Sequence, residues 1–571
     1  MALVVVSSHS VPTTVKIFVV AASRIGLAFA PILLATTEVF AQETKGVTDT
    51  AKESALTSLD WALVAIYGTS MIALGIWCSR RQQSVKDFFV AGGKMGAFVV
   101  GISIHATLLS SITYLSHPGE MIRSGPVLFC NTLSYPIAFF VVGYWLIPAI
   151  MKHRVTSAYE IVNARFGLSA RWLAALIFLS LRLVWMAVML NFFSNALVEM
   201  LSLPPESQPW IVAISATIAI GYTALGGLRA VIITDTVQFF LLFGGALFTV
   251  LLITFKFGGF DWFPTQWYDH WDTQPVFSFD PYVRVTMVGS IMEGLLWWMC
   301  TAGSDQTTVQ RYMATPDEKT ARRSFLINAC AAVGSTFLLA MVGFAILGFY
   351  VQNPELMPEE ATIRSHGDNL FPRFIAHELP AGISGLVIVA LFAAMMSSID
   401  SGINAVTAVV LTDFIGPLRK RAAEPLDDLR LSRYLTVVIG IVVVLMNLAV
   451  AQASGNYAEI TAKTVNLLVA PLFGLFFFAL FVPRSKTFGV IFGSLYGSAA
   501  AILVGFWDVI TGLDPFSFQW ITPVAMAVNA AVGFGLSRLP SERWSRSQTV
   551  SRAVFAALPI VITYAIVIIL T

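Results

Sequence analysis

What most limits the folds open to this chain is that apolar stretches long enough to cross a hydrocarbon layer follow one another almost from end to end. At about 1.5 Å per residue, some 20 apolar residues span a bilayer core of about 30 Å. Such stretches run over 59–78, 89–117, 126–151, 171–201, 209–225, 231–254, 285–302, 324–351, 381–412, 431–452, 459–482, 487–510, 518–537 and 551–570. That is about fourteen helices. Inside lipid the backbone must satisfy its own hydrogen bonds, so the expected fold class is an all-α integral membrane protein. The connections leave no room for a soluble domain of comparable size.

Composition and charge agree. The chain is 57% apolar and 12% charged, unlike a soluble domain, and its net charge of +2 gives no footprint for nucleic acid. The basic residues mark a membrane side instead. Arg80-Arg81, Lys152 with Arg154, Arg311 with Lys319, Arg322 and Arg323, Arg419-Lys420-Arg421, Arg484 with Lys486, and Arg543 with Arg546 fall in alternate connections, which assigns those connections to the cytoplasm. The opposite connections, including 255–284 and 352–380, are poor in Lys and Arg and rich in Trp, Phe and Pro. Cys78, Cys130, Cys300 and Cys330 show no CxxC spacing and read as packing residues. At the start, Lys16 and Arg24 precede the apolar run Ile25 to Leu34, and Val39-Phe40-Ala41 before Gln42 has the form of a cleavage site. The expected division is a signal peptide over 1–41, an exported segment over 42–58 and a transmembrane domain over 59–571, placed in the cell membrane; an uncleaved short anchor is the alternative.

The stretch Gly382 to Asp413 begins as a near-pure apolar run and then admits Ser397, Ser398, Asp400, Ser401, Asn404 and Thr407. Ala394, Ser397, Ser398 and Ser401 are spaced i, i+3, i+4, i+7 and share one helical face. Small residues there allow close helix packing. The same hydroxyls can hold a small hard cation between oxygens. Two spans look ready to open around polar groups. GISIHATLLSSITYLSHPGE, from Gly101 to Glu120, is unusually polar for lipid, and 285–302 holds Glu293 beside Gly294. Each begins a run of five spans, 89–254 and 285–482, the pattern an inverted 5+5 repeat produces. Arg182 sits near the centre of span 171–201, too far from either end to snorkel. No HExxH, GxSxG or paired GxGD-type aspartates supports an intramembrane enzyme. A passive channel would share a polar cavity but would not accumulate solute.

The run AAMMSSIDSGINAVTAVVLTDF, with GGLRAVIITDTVQ at Gly226 to Gln238, DQTTVQRYMA at Asp305 to Ala314 and DNLFPRFIAHELP at Asp368 to Pro380, resembles the sodium:solute symporter family. The resemblance implies a leucine-transporter-type inverted repeat with flanking helices, and import of a small solute driven by Na+. Carried over residue by residue, it implies a sodium site made of the backbone carbonyls of Ala106, Leu109 and Ala394 and the hydroxyls of Ser397 and Ser398. Some members bind a second sodium through an aspartate of the TDxxQ motif and an additional serine on the ion helix. Asp235 matches that aspartate, but Ala394 supplies no hydroxyl, and Asp235 is equally open to a solvated or proton-relaying role. The binding residues are closest to those of the family's sialic-acid importers, which implies that Arg182 grips a substrate carboxylate with Ser110 and Thr113 nearby. Their glutamine has no clear match in span 126–151, where Asn131 and Thr132 stand. Two substrate readings stay open. If Arg182 binds solute, the solute is a small anion such as a sialic acid or another carboxylate. If Arg182 pairs with Glu293, the cavity is neutral and suits a sugar or polyol. A transporter-like sensor is the remaining alternative, although no signalling domain accompanies the spans.

Overall fold

The computed structural model describes residues 57–539 apart from 81, 83, 202, 358–361, 418–428 and 451–456. The expected leader 1–41, the exported segment as far as 56, the basic groups Arg419-Lys420-Arg421 and Arg543 with Arg546, and the last expected span, 551–570, lie outside the described residues. Among those described there is no β-strand. The helices are α1 (Ser58–Ser79), α2 (Val85–Val90), α3 (Ala97–Leu108), α4 (Ser111–Arg123), α5 (Pro126–Met151, opening as a 3-10 turn and widening to a π turn), α6 (Tyr159–Phe166), α7 (Leu168–Met200) and α8 (Gln208–Phe257). Then come α9 (Met287–Ser304), α10 (Gln306–Met313), α11 (Glu318–Gln352), α12 (Ile363–His377), α13 (Ile383–Val409), α14 (Leu429–Val450), α15 (Tyr457–Phe481), α16 (Thr487–Gly505), α17 (Trp507–Thr511) and α18 (Ile521–Arg538).

Each expected span from 59–78 to 518–537 has helix along it, but not always as one rod. Among the described residues nine helices are long and apolar enough to cross a membrane, or ten if the pair Val85–Gly93 and Ala97–Leu108, meeting at 115°, is one span. The expected spans 209–225 and 231–254 form one 50-residue helix, α8, broken at Gly227. There φ is 54° and ψ −163°, a region that only glycine enters readily, and a Cβ would lie 2.7 Å from the Phe88 carbonyl oxygen. The second expected span is divided where Leu109 leaves helical geometry (φ −86°, ψ 92°) and Ser110 starts α4 by accepting from Thr113 N at 3.2 Å.

One break lies elsewhere than the sequence suggests. The helix α9 runs unbroken through Glu293 and Gly294 and ends at Asp305 (φ −75°, ψ 124°), whose side chain accepts from Thr307 N at 2.8 Å and so starts α10. Aspartate at a helix N-terminus satisfies backbone N–H groups that have no partner inside the helix. Glu293 needs no break, because its carboxylate accepts from Asn466 Nδ2 at 2.8 Å.

Contacts sort the connections into two faces, as alternate crossing requires. On one face Asp60 meets Gly382 and Gly385, Asp272 meets Arg284 and Arg364, and Ser517 donates to the Arg284 carbonyl. On the other, Met95 donates to Ala314, Arg154 to Thr315, Arg165 to Val482, and Arg171 pairs with Asp413. The helix α13 lies at the centre, packed on α8, α7 and α1, with nearly every residue from Val387 to Val409 buried. A helix buried all round sits inside the protein, so its hydroxyls and carboxylate face protein partners, not lipid. Its N-terminus is held by Asp60 of α1, whose Oδ1 accepts from Gly382 N and Gly385 N at 2.7 Å each and from Ser384 Oγ at 3.0 Å.

Candidate functional site

The break between α3 and α4 faces the serines of α13. Ser397 Oγ donates to the Ala106 carbonyl at 2.9 Å and lies 3.1 Å from the Ala394 carbonyl; Ser398 Oγ donates to the Thr107 carbonyl at 2.9 Å. Leu109 stands at the break, and its extended ψ takes its carbonyl out of the helix ladder. Ala106, Ala394, Ser397 and Ser398 are fully buried and Leu109 nearly so. Neutral carbonyl and hydroxyl oxygens gathered where a helix opens are the donor set for a hard monovalent cation.

Next to them lies a second, charged cluster. Asp235 is fully buried, which corrects the expectation of a solvated carboxylate near a membrane face. Its Oδ2 accepts from Ser103 Oγ at 2.5 Å and from Arg311 Nη2 at 2.9 Å. Arg311 is itself 0% exposed, although the sequence pattern placed it with the cytoplasmic basic residues. The break at Asp305 turns α10 inward, and Arg311 then donates to Ser103 Oγ at 2.7 Å, the Thr307 carbonyl at 2.8 Å and Ser401 Oγ at 2.5 Å. Ser401 thus faces Arg311 and Thr107 rather than Ser397's carbonyl partners. Asp400 is held by Tyr222 Oη at 2.5 Å and Ser401 Oγ at 3.1 Å.

A cavity of about 230 Å³ opens beside the α3–α4 break. Arg182, Asp305, Glu293 and Thr113 line it together with Trp185 and Trp298. Ser110 does not: its hydroxyl serves α4, within 3.1 Å of Thr113 Oγ1. Arg182 pairs neither with Glu293 nor through any other charge the sequence singled out. Its Nη2 lies 2.6 Å from Asp305 Oδ2 and 3.0 Å from Thr307 Oγ1, while its Nε is buried without a hydrogen-bond partner. Asp305 and Arg311 are the two charged side chains of these clusters that the sequence reading did not place there. The available signal was Asp305 followed by Gln-Thr-Thr, an aspartate placed to cap a short helix.

A helical membrane protein whose central helix meets a helix break through serine hydroxyls, beside a cavity that carries charged and aromatic side chains, has the makings of an ion-coupled carrier. Residues 88–497 match the sodium:solute symporter family. The chain therefore belongs to that family, and Na+ is its coupling ion. It is 30% identical over 461 residues to a sodium/sialic acid symporter, SiaT, of Proteus mirabilis, covering 78% of this chain and 89% of that one. The human sodium-coupled monocarboxylate transporter 1 is 27% identical over 458 residues, 78% of this chain and 73% of its own. A solved structure of a Na+-coupled sialic acid symporter, in a substrate-bound outward-open state, aligns with a TM-score of 0.73 at 26% identity, over 86% of this chain and all of that chain.

Proposed function

We propose that this protein is a symporter of the cell membrane that uses sodium to import a small organic solute carrying a carboxylate, such as a sialic acid or another carboxylate. The observation that carries the coupling is the meeting of Ser397 and Ser398 with the backbone carbonyls at the α3–α4 break. Sodium binds there through the carbonyls of Ala106, Leu109 and Ala394 and the two hydroxyls, and the solute binds in the adjoining cavity. Its carboxylate meets the Arg182 guanidinium where that residue lines the cavity, with Thr113 as a neighbouring hydroxyl. Relatives that carry sialic acids and monocarboxylates support a carboxylate. Alternating access follows from one set of five spans, 89–254, moving against the other, 285–482, about this site.

A second reading is favoured by one contact. The pair Arg182–Asp305 is neutral, which suits a sugar or polyol.

The test of coupling is uptake into proteoliposomes with and without a sodium gradient, followed by sodium titration of Ser397→Ala and Ser398→Ala. Loss of one ligand hydroxyl is worth about 1–1.5 kcal/mol, so half-saturation by sodium rises about 5- to 12-fold. Unchanged sodium dependence in both variants would return the serine face to helix packing.

A further inference from the structure

The cavity wall carries three formal charges, and they do not cancel. Arg182 and Asp305 neutralise one another across 2.6 Å. Glu293 is left with one neutral donor, Asn466 Nδ2, and among the described residues no Arg, Lys or His comes within ion-pair distance of it. The wall beside it is also short of donors. Gly294, the next residue of α9, packs so closely on α5 that a Cβ would lie 2.7 Å from Ser134 Oγ and 3.3 Å from the Asn131 carbonyl. Ser134 Oγ and Asn131 Oδ1 are buried and lack hydrogen-bond partners, and both residues line the cavity. A carboxylate, a hydroxyl and an amide oxygen thus belong to residues that line the same cavity as the guanidinium. Buried acceptors of this kind need donors, and a carboxylate in a low-dielectric cavity needs a cation or a proton.

We propose that the transported solute is a zwitterion, an amino acid in the general sense, whose carboxylate faces Arg182 and whose ammonium faces Glu293, Ser134 and Asn131. This rests on the carboxylate reading above and narrows it. An ammonium offers three N–H donors, matching the three acceptors, and Trp297 and Trp298 line the same cavity, where aromatic rings favour a cation. An anion without an amine would instead bring a second negative charge toward Glu293 in a cavity whose one Arg or Lys among the described residues is already paired.

The experiment is thermal-shift titration of the purified full chain in sodium, with amino acids of graded length, their N-acetyl derivatives, the corresponding carboxylic acids lacking the amine, and hexoses. The expected result is that free-amine compounds bind about 10-fold or more tightly than their N-acetyl or amine-free counterparts, a difference of the size expected for one desolvated ion pair. In Glu293→Gln that preference should shrink to within about 3-fold, whereas Arg182→Lys should weaken every carboxylate alike. Ser134→Ala, which removes no charge, gives an independent readout: it should weaken free-amine ligands about 3- to 10-fold and leave N-acetyl ligands unchanged. N-acetyl or amine-free carboxylates binding as tightly as free amines, with Arg182→Lys still weakening them, would overturn the zwitterion and leave the carboxylate reading standing. Stabilisation by hexoses alone would overturn both.

Discussion

Replacing Asp235 by Asn tests whether the charged cluster beside the serines is a closed unit. Arg311 is 0% exposed and spends its donors on Ser103, the Thr307 carbonyl, Asp235 and Ser401. Asp235→Asn keeps the acceptor for Ser103 but leaves the guanidinium without its direct counter-charge; removing one partner of a buried pair costs about 3–5 kcal/mol. The Asn side chain preserves shape, which places it near 3 kcal/mol by the same rule. Arg311→Met is worse, at about 5 kcal/mol, because Asp235 and Asp400 are then buried together without a cation. The double variant removes one charge of each sign and should sit well above the sum, with a coupling energy of about 2 kcal/mol or more. Unfolding in mixed detergent micelles, followed by tryptophan fluorescence, supplies the four corners of the cycle. Additivity within about 0.5 kcal/mol would refute the reasoning, since groups that do not hold one another add. The same arrangement bears on ion number: Arg311 already provides a positive charge to Asp235 and Ser401, so one sodium per solute is expected, and a measured ratio of two would return Asp235 to the role of a sodium ligand.

Three further outcomes are expected. Gly227→Ala places a Cβ 2.7 Å from the Phe88 carbonyl oxygen in a backbone region reserved for glycine, and should lower stability by about 2 kcal/mol or more, seen as lost membrane yield and an earlier thermal transition. Asp60→Ala strips three donors at the start of α13 of their acceptor and should cost about 2–3 kcal/mol, with Asp60→Asn closer to wild type because it keeps one carbonyl oxygen; equal losses would show that the charge, not the acceptor, matters. Reporter fusions in the 255–284 or 352–380 connections should be silent in the cytoplasm, and cytoplasmic activity at either would invert the topology.

Much of the architecture was legible because apolar length, Lys and Arg placement, and polar intrusions are properties of the sequence itself. The break at Leu109 showed as a crowd of Ser and Thr, and the face of Ala394, Ser397 and Ser398 as a spacing. Other features depend on distance in space. Glu293 looked like a helix break because a charge mid-span is costly, but Asn466, 173 residues away in sequence, satisfies it. Arg311 looked cytoplasmic because basic residues usually mark that side, yet a single aspartate cap turns its short helix inward to meet Asp235. Arg182 stood out in the sequence by its depth, whereas its partner Asp305 was hidden inside a motif read for its family likeness.

The hold of Asp60 on the first turn of α13 has a mechanical side. A flanking helix that caps another helix through three short hydrogen bonds cannot be a passive neighbour: when α13 tilts, the end of α1 that carries Asp60 is carried with it. The exposed side of α1, where Trp61 is 47% exposed, is therefore a place from which the motion of a largely buried helix can be watched from outside. A dye or spin label there would behave as a pointer fixed to the shaft of the machine, reporting each swing without touching the ion or the cargo.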